Sequence, residues 1–501
     1  MADELPRFVR DVDTLIRARY PLLYLVSWEE QRVDALVSDI ARTHGKDVVE
    51  WTATKGLKSL SPTSKAVFGE ETRLPVGALQ AVAKLPTPSI VLLKDFHRYL
   101  DDPVTVRALR ELGFALKSAF TTCIVVAPVM MLPAELEKDV SVIDVPLPSK
   151  HDLMQLLKDI ARVVTKNKRA VVELNREQAD ALVSAAHGLT LAEAENAFAK
   201  AIAQDARLDG DDVRLMLEEK AQVVRKSGLL EYFATENTLG DVGGLGHLKR
   251  WLERRKSAFS DEARRFGLPE PKGVMLLGVQ GCGKSLTAKA IATSWRLPLV
   301  RLDMGRIYSG LIGSSEENVR RAIRTVESLA PVVLWVDEIE KGLAGAGQSQ
   351  SDSGVSARVF GTLLTWLQEK TAPVFVVCTA NRIDALPPEM LRKGRFDEIF
   401  FIDLPTEAER GDIFALQLQR RGRKSTEFPL HELAAASANF SGAEIEQVVI
   451  SGLYDAFADG TQLLPAHLLQ AIAETKPLAV TMAEDVARLR DWAKHRTRPA
   501  S

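Results

Sequence analysis

The sequence contains few cysteines and no long apolar run. Its 501 residues include 3 cysteines, Cys123, Cys282 and Cys378, which lie far apart. An odd number of scattered cysteines argues against a disulfide framework and favours a reducing compartment, so we expect a cytoplasmic protein. The first residues lack the basic and then apolar order of a signal peptide. The longest uncharged stretch, residues 118–134, is interrupted by prolines, which predicts a strand and a loop rather than a membrane span.

Neither sign of charge dominates the sequence. There are 65 Lys and Arg residues against 67 Asp and Glu residues, a formal net charge of −2. A chain without a basic excess lacks a general attraction to phosphate backbones, so we do not expect a nucleic-acid partner. The sequence also has no His-Glu-x-x-His motif, which excludes a fused metalloprotease of that type. A hydrophobic content of 46% is ordinary for packed globular domains, and the length predicts about three or four of them.

Short apolar runs alternate with longer amphipathic stretches in two cycles. This alternation predicts βαβ units and therefore parallel sheets in an α/β protein. In each cycle the strands are followed by a wholly helical stretch. We therefore predict two tandem modules, each a parallel sheet sandwiched by helices and followed by a helical lid. The expected strands are residues 21–27, 48–52, 89–93, 122–127, 273–277, 299–302, 332–336, 374–378 and 400–402.

Pairs of segments indicate one architecture used twice. Residues 90–96 are similar to residues 332–338, and residues 147–149 are similar to residues 404–406, in matching positions of the two cycles. The polar residues 495–501 are expected to fray. The predicted division is an α/β domain over residues 1–149, a helical subdomain over 150–228, a second α/β domain over 229–405, and a helical lid with the C-terminal tail over 406–501.

A glycine-rich loop follows one of the predicted strands. Residues 278–285, Gly-Val-Gln-Gly-Cys-Gly-Lys-Ser, fit the phosphate-loop pattern and open a predicted helix. Glycines let successive backbone N–H groups turn towards an anion, and the helix start adds positive dipole. Lys284 would reach the β- and γ-phosphates, and Ser285 would hold Mg²⁺. The loop residues expected to bind ATP are Gly278, Gln280, Gly281, Cys282, Gly283, Lys284, Ser285 and Leu286.

Polar side chains end the two following buried strands. Asp337 and Glu338 close one strand, where Asp337 would bind Mg²⁺ and Glu338 would polarise the attacking water. Asn381 closes the next strand and offers a neutral amide to that water or to the γ-phosphate. Further on, Arg392 and Arg395 form a pair that a neighbouring subunit could use to stabilise the transferring phosphoryl group.

Together these motifs resemble the AAA+ ATPase superfamily, within its AAA clade. Residues 239–245, Leu-Gly-Asp-Val-Gly-Gly-Leu, resemble the motif that lines the adenine pocket of the family, and residues 358–397 resemble its second region of homology. Residues 440–444 resemble its sensor-2 segment. The whole chain resembles bacterial and plastid AAA proteins first named as hypothetical chloroplast reading frames, in which the first ATPase-like module is degenerate.

The resemblance implies further residue roles. Asp241, Val242 and Gly243 would contact adenine, and Gly442 and Ala443 would lie near the ribose. Asn381 would be sensor 1, while Arg392 and Arg395 would be fingers that act on a neighbour. Since such fingers complete the site of another subunit, the family works as rings, usually hexamers, and we expect a homo-oligomer.

Two regions depart from the pattern of the family. Residues 310–313, Gly-Leu-Ile-Gly, stand where a pore motif normally carries an aromatic residue, with Tyr308 just upstream. The loop 342–356 is small and polar and is either a pore-facing segment or a surface loop.

In the first half, Trp28-Glu-Glu follows the first strand in place of a glycine loop. Phe96 stands where a catalytic glutamate would be. Residues 1–228 are therefore expected neither to bind ATP tightly nor to hydrolyse it.

Three functions are compatible with the sequence. The leading hypothesis is a ring-forming ATPase that remodels an unidentified protein client, with catalysis only in the C-terminal module. An alternative is a nucleotide-gated regulatory or scaffold module with slow turnover and no unfolding, which the leucine in the pore motif favours. A DNA-acting motor is the third, and the balanced charge argues against it.

Overall fold

A computed structural model describes residues 6–61, 67–167, 170–233, 238–308, 314–341, 353–383, 386–392 and 394–501. The chain divides into two compact units. The first unit consists of Met1–Arg169 and Leu189–Lys200, and the second consists of Ala170–Gly188 and Ala201–Ser501. Within the described ranges, no helix combines the length and the apolar content needed to cross a bilayer.

The secondary structure alternates helices and strands as the sequence predicts. The helices of the described residues are α1 (Arg7–Arg17), α2 (Glu30–His44), α3 (Pro75–Val82), α4 (Pro103–Leu116), α5 (Lys150–Lys166), α6 (Arg176–Ala186), α7 (Leu191–Asp205), α8 (Val213–Ser227), α9 (Gly246–Glu253), α10 (Asp261–Phe266), α11 (Lys284–Trp295), α12 (Met304–Tyr308), α13 (Ser314–Ser328), α14 (Ser353–Glu369), α15 (Glu407–Arg420), α16 (Leu430–Ala436), α17 (Gly442–Ala458), α18 (Pro465–Glu474), α19 (Leu478–Thr481) and α20 (Ala483–Ala493). The strands are β1 (Leu22–Val26), β2 (Asp47–Thr52), β3 (Gly56–Ser59), β4 (Ser89–Lys94), β5 (Thr122–Ala127), β6 (Ser141–Asp144), β7 (Val171–Val172), β8 (Arg207–Leu208), β9 (Leu230–Phe233), β10 (Gly273–Gly278), β11 (Leu299–Leu302), β12 (Val332–Val336), β13 (Val374–Ala380), β14 (Glu398–Ile402) and β15 (Arg498–Pro499).

The first unit contains a sheet in the order β3-β2-β4-β5-β1-β6. All its neighbours are parallel except β2 and β3, which form an antiparallel pair. Every residue of β4 and β5 is buried, since helices cover both faces of the sheet. One face packs against α1 and α2 through residues such as Ile16 and Val37, and the other packs against α3 and α4 through residues such as Leu79 and Leu109.

The second unit contains a sheet in the order β15-β14-β10-β13-β12-β11-β9. Strand β9 is antiparallel to β11, and the other pairs are parallel. Counted along the chain, the parallel strands β10 to β14 have the order fifth, first, fourth, third, second. Strands β1, β2, β4, β5 and β6 of the first unit follow the same order. The prediction of parallel α/β sheets is confirmed.

Two layers of helices cover the second sheet. Residues of α9 and α11 pack on one face, with Leu248 and Ile291 in the apolar cluster there. Residues of α13, α14 and α20 pack on the other face, including Leu363 and Leu489. Helices α15 to α18 follow β14 and share an apolar core of their own. We call this helical group the lid, after the segment that the sequence predicts.

Two expectations about irregular regions are wrong. Residues 150–228 are not wholly helical, because β7 and β8 pair in parallel. Residues 498–501 are not frayed: β15 pairs with β14, and Ala500 is 1% exposed. A strand of two residues is too short to show the alternation of apolar and polar residues from which strands are predicted. Its backbone partner is also distant along the chain. The division into four domains at residues 149, 228 and 405 stays a prediction.

Candidate functional site

A cavity of about 430 Å³ lies at the carboxyl edge of the second sheet, beside the ends of β10, β12 and β13. The ends of parallel strands open together at this edge, which is where α/β proteins commonly bind ligands. It is lined by these predicted residues: Asp241, Val242, Gly243, Gln280, Gly281, Cys282, Gly283, Lys284, Ser285, Leu286, Asp337, Glu338, Asn381, Gly442 and Ala443.

The glycine-rich loop turns tightly between β10 and α11. Gly278 passes so close to β14 that a Cβ atom would lie 1.9 Å from the carbonyl oxygen of Ile402. Gly281 has a φ of +79°, and a Cβ atom there would lie 2.8 Å from Ser441 Oγ. Side chains at these positions would displace the neighbouring backbone or the lid. Glycine at these two positions therefore lets the loop lie close against β14 and the lid.

Lys284 is buried inside this loop. Its Nζ donates hydrogen bonds to the carbonyl oxygens of Gly278, at 2.9 Å, and Val279, at 2.7 Å. Burial lowers the pKa of the Lys284 ammonium from its ordinary value to about 8, although nearby carboxylates oppose the shift. An ammonium group that has lost much of its hydration in this way gains strongly from a new anionic partner.

Thr379 joins the two carboxylates at the end of β12. Its hydroxyl donates to Asp337 Oδ1 at 2.5 Å and accepts from the backbone N–H of Glu338 at 2.9 Å. Ser285 Oγ lies 3.4 Å from the same Asp337 oxygen. The predicted strand ends at residue 378, and the sequence analysis gave Thr379 no role. It fixes Asp337 next to Ser285, so the two oxygen ligands that Mg²⁺ would need face one point.

The Glu338 carboxylate is held by two polar side chains. Asn381 Nδ2 donates to Glu338 Oε1 at 3.2 Å, and Lys341 forms an ion pair with the same carboxylate. The backbone N–H of Asn381 is itself anchored on Glu340 at 2.9 Å. Glu338 has a φ of +46°, a left-handed conformation that turns its side chain out of the strand direction. The carboxylate and the amide therefore face the cavity together.

The 239–245 loop and the lid close the opposite end of the cavity. Hydrogen bonds from Thr238 lower the pKa of Asp241, and Arg420 adds a favourable charge. Arg420 of α15 also donates to the carbonyl oxygen of Asp241 at 3.2 Å. The backbone N–H of Ala443, in the first turn of α17, donates to the carbonyl oxygen of Gly281 at 3.0 Å. The lid thus contacts both ends of the cavity directly.

Three predicted residues do not line the cavity. Gly278 lies beneath it and contributes its carbonyl oxygen to Lys284. Arg392 is exposed, and Arg395 Nη1 is buried without a hydrogen-bond partner among the described residues. Leu245, at the end of the 239–245 motif, also lines the cavity. The sequence analysis did not assign these other lining residues: Thr379, Asp403, Pro405, Glu409, Ile413, Leu416, Gln417, Arg420, Glu446 and Ser501.

The residues fit a nucleotide with Mg²⁺ better than a metal alone. In the described part of the chain, no cluster of three or more His, Cys, Asp or Glu side chains could hold a metal ion. Ser285 and Asp337 supply only two oxygen ligands, and Mg²⁺ commonly takes its remaining ligands from water and substrate phosphates.

The matching edge of the first unit is built differently. Only residues 27–29 separate β1 from α2, whereas residues 279–283 separate β10 from α11. Glu29, which is 9% exposed, accepts a hydrogen bond from the backbone N–H of Leu191 at 2.7 Å. Phe96 is fully buried and packs edge-on against Trp51. Glu29 is also paired with Arg32 at 2.8 Å. The three-residue loop therefore differs from the five-residue glycine loop of the second unit in both length and chemistry.

Two predicted pore features cannot be compared with the structure. The motif at residues 310–313 and most of the 342–356 loop lie outside the described residues. Tyr308 is described and ends α12, where it packs against the core of the sheet.

Three family models match successive parts of the chain. Residues 274–404 match the ATPase family associated with various cellular activities (AAA). Residues 8–145 match the N-terminal domain of SpoVK-like AAA ATPases, and residues 151–227 match the second domain of those proteins.

Similar proteins match nearly the full length of the chain. A protein of Pyropia yezoensis named "Uncharacterized AAA domain-containing protein ycf46" is 40% identical over 490 residues, 97% of each chain. A protein of Guillardia theta with the same name is 39% identical over 97% of this chain and 95% of its own. A third, from Trieres chinensis, is 37% identical over 97% of each chain.

Proposed function

The chain belongs to the AAA ATPase family, with ycf46 proteins among its relatives, and we propose that it hydrolyses ATP at one site, the cavity beside β10. Family membership supports a general ATPase role and nucleotide binding. The observation that carries the specific proposal is the convergence of Ser285, Asp337, Glu338 and Asn381 around one point, next to the buried Lys284.

We assign the binding roles from the geometry of the phosphate loop. Lys284 would exchange its two backbone carbonyl partners for the β- and γ-phosphate oxygens. Ser285 and Asp337 would hold Mg²⁺, which when bound neutralises charge on those oxygens. The backbone N–H groups of residues 281–285 would enclose the phosphates, and Asp241, Val242 and Gly243 would contact the base.

Glu338 would act on the attacking water. Its carboxylate accepts a proton as the water oxygen bonds to the γ-phosphorus and the bond to the bridging oxygen of ADP breaks. Asn381 holds the carboxylate by the 3.2 Å hydrogen bond and contributes a neutral donor to the γ-phosphate. Lys341 must give up or share its ion pair with Glu338 before the carboxylate can polarise water.

The proposal also concerns the assembly of the chain into a ring and the role of its first module. Arg392 and Arg395, which do not reach the cavity of their own chain, would reach that of a neighbour in a homo-oligomeric ring, which we propose to be hexameric. The two sheets with one strand order would be tandem modules, of which the first has lost catalysis. The cytoplasmic location stays a prediction.

Movement of the lid would couple hydrolysis to a protein client. Arg420 of α15 and Ala443 of α17 contact the two ends of the cavity. Loss of the γ-phosphate would therefore change the contacts between the cavity and the lid. A turnover assay with and without candidate partners separates remodelling from a nucleotide-gated scaffold. Strong stimulation supports remodelling, whereas a low rate that does not respond to any partner supports the scaffold.

The chain is expected to bind one Mg-ATP, not two. The loop of the first unit has three residues and no glycine, so it presents fewer backbone N–H groups to a phosphate than the loop at residues 279–283. Its buried Glu29 is already bonded to Arg32 and to the backbone N–H of Leu191. Titration calorimetry should give a stoichiometry of about one per chain, and Lys284→Ala should lower it to about zero. A value of about two, or residual binding to a folded Lys284→Ala chain, would contradict the assignment.

Nucleotide affinity is expected to fall above about pH 8. Since burial lowers the pKa of Lys284 to about 8, the charged form that binds phosphate is lost as pH rises through that value. The dissociation constant of Mg-ATP should therefore rise about tenfold from about pH 7 to about pH 9. The thiol of Cys282 does not interfere, because burial raises its pKa to about 12. Lys284→Arg stays charged throughout, so any binding it retains should not change over this range.

A further inference from the structure

The segment Arg498–Ser501 is built into the edge of the second sheet. Strand β15 runs parallel to β14, with Arg498 opposite Phe400 and Pro499 opposite Phe401. The backbone N–H of Ala500 continues the ladder by donating to the carbonyl oxygen of Phe401 at 3.0 Å. The segment therefore flanks the strand that leads into Asp403 and Pro405, two residues that line the nucleotide cavity.

Ala500 also caps the helix that follows the 239–245 loop. Its carbonyl oxygen accepts from the backbone N–H groups of His247, at 2.9 Å, and Leu248, at 3.0 Å, in the first turn of α9. These N–H groups have no partner within their own helix. The Ala500 side chain is 1% exposed and lies in the same apolar cluster as Val242 and Leu245. Ala500 thus holds the 239–245 loop at its C-terminal end, where α9 begins.

Ser501 connects the segment to the lid. Its Oγ donates to Glu409 Oε1 at 2.6 Å, and the same oxygen accepts from the backbone N–H of Leu245 at 3.2 Å. The other carboxylate oxygen of Glu409 accepts from the backbone N–H of Thr406 at 2.9 Å. Glu409 therefore joins the 239–245 loop to the first turn of α15, and Ser501 supplies one of its hydrogen bonds inside the cavity.

The charge of Glu409 depends on these donors. Burial by itself would raise the pKa of Glu409, but hydrogen bonds from Ser501, Thr406 and Leu245 together lower it below the usual value. A charged carboxylate is the stronger acceptor. Without the Ser501 hydroxyl, the link between the loop and the lid weakens, while Lys284 and Glu338 lose none of their own contacts.

We propose that Arg498–Ser501 positions the base end of the nucleotide site, by holding Glu409 and through it the 239–245 loop against the lid. This inference rests on the proposed function and deepens it, because it assigns the segment to nucleotide affinity and not to the chemical step. Ser501 is a positioning residue: it acts on the base contacts at Asp241, Val242 and Gly243 through Glu409.

The test compares four variants of the full chain. Ser501→Ala removes the hydroxyl, Ser501→Thr keeps it, and a chain that stops after Thr497 removes the whole segment. Thr497→Ala is the matched control, because the Thr497 hydroxyl donates to the carbonyl oxygen of Ala493 at 2.9 Å and Thr497 does not line the cavity. The measurements are kcat and KM for ATP hydrolysis and the dissociation constant of Mg-ATP.

Ser501→Ala should raise KM and the dissociation constant about threefold to tenfold, with kcat within about twofold of the wild type. Ser501→Thr should restore the wild-type values, Thr497→Ala should not differ from them, and the shortened chain should lose more affinity than Ser501→Ala. Wild-type KM in Ser501→Ala, or a loss confined to kcat, would overturn the inference.

Amide hydrogen exchange without nucleotide separates this inference from the proposed function. The N–H of Leu245 should exchange about threefold or more faster in Ser501→Ala than in Thr497→Ala, whether or not the chain hydrolyses ATP. Faster exchange in a chain that binds no ATP would refute the proposed function, while still showing that Ser501 holds the 239–245 loop through Glu409. Unchanged exchange at Leu245 in a chain that does bind ATP would refute the positioning role alone.

Discussion

Glu338→Gln is expected to lower ATP turnover about 10²- to 10⁴-fold and to leave ATP bound. The carboxamide has the shape of the carboxylate, and its oxygen can still accept the hydrogen bond from Asn381 Nδ2. It cannot accept a proton from water at neutral pH. Lys284, Ser285 and Asp337 keep their positions, so the affinity for Mg-ATP should change little. Phosphate release measures the rate, and the nucleotide recovered with the purified chain measures retention.

A control with the same chemical change distinguishes catalysis from a loss of folding. Glu327 lies on α13, away from the cavity, and accepts a hydrogen bond from Trp366 Nε1 at 2.7 Å. Glu327→Gln should keep wild-type turnover. Undiminished phosphate release by Glu338→Gln would refute the role of Glu338 as the group that activates water. Loss of both release and binding would instead point to a structural role for the carboxylate.

The parts of the site that the sequence predicts are those in which chemistry and backbone position come from neighbouring residues. The glycine loop, Lys284 and Ser285 follow one another in eight positions, and Asp337 and Glu338 end a run of buried apolar residues. A strand-loop-helix pattern fixes where such residues lie, whatever the rest of the chain does. The same holds for the alternation that predicts two parallel sheets.

The parts that the sequence does not predict depend on contacts between distant segments. Glu409 reads as half of an ordinary capping box with Thr406, and nothing local shows that its other oxygen meets Leu245. From the sequence, Ser501 and the two residues of β15 are predicted to belong to a frayed polar segment. Thr379 directly follows the predicted strand 374–378, but only the register of β12 against β13 places its hydroxyl between Asp337 and Glu338.

Replacing both Arg392 and Arg395 with alanine is expected to lower turnover about 10³-fold or more while ATP still binds. Neither side chain lines the cavity of its own chain, so removing them takes nothing from the contacts of Lys284 or Asp337. A loss of 10³-fold corresponds to about 4 kcal/mol of transition-state stabilisation. Arg324→Ala, which removes a surface arginine paired with Glu317 at 2.8 Å, is the control and should keep full activity.

Mixing two inactive chains tests whether the arginines act on a neighbour. The double arginine variant has an intact phosphate loop, and Lys284→Ala has intact arginines. In a mixed ring, the loop of the first chain can meet the arginines of the second, so turnover should reappear on mixing and rise with the fraction of such pairs. Arginines that acted within their own chain would leave every mixture inactive, because no single chain would carry both parts. Full activity of the double variant alone would remove the reason to place a neighbouring subunit at the site.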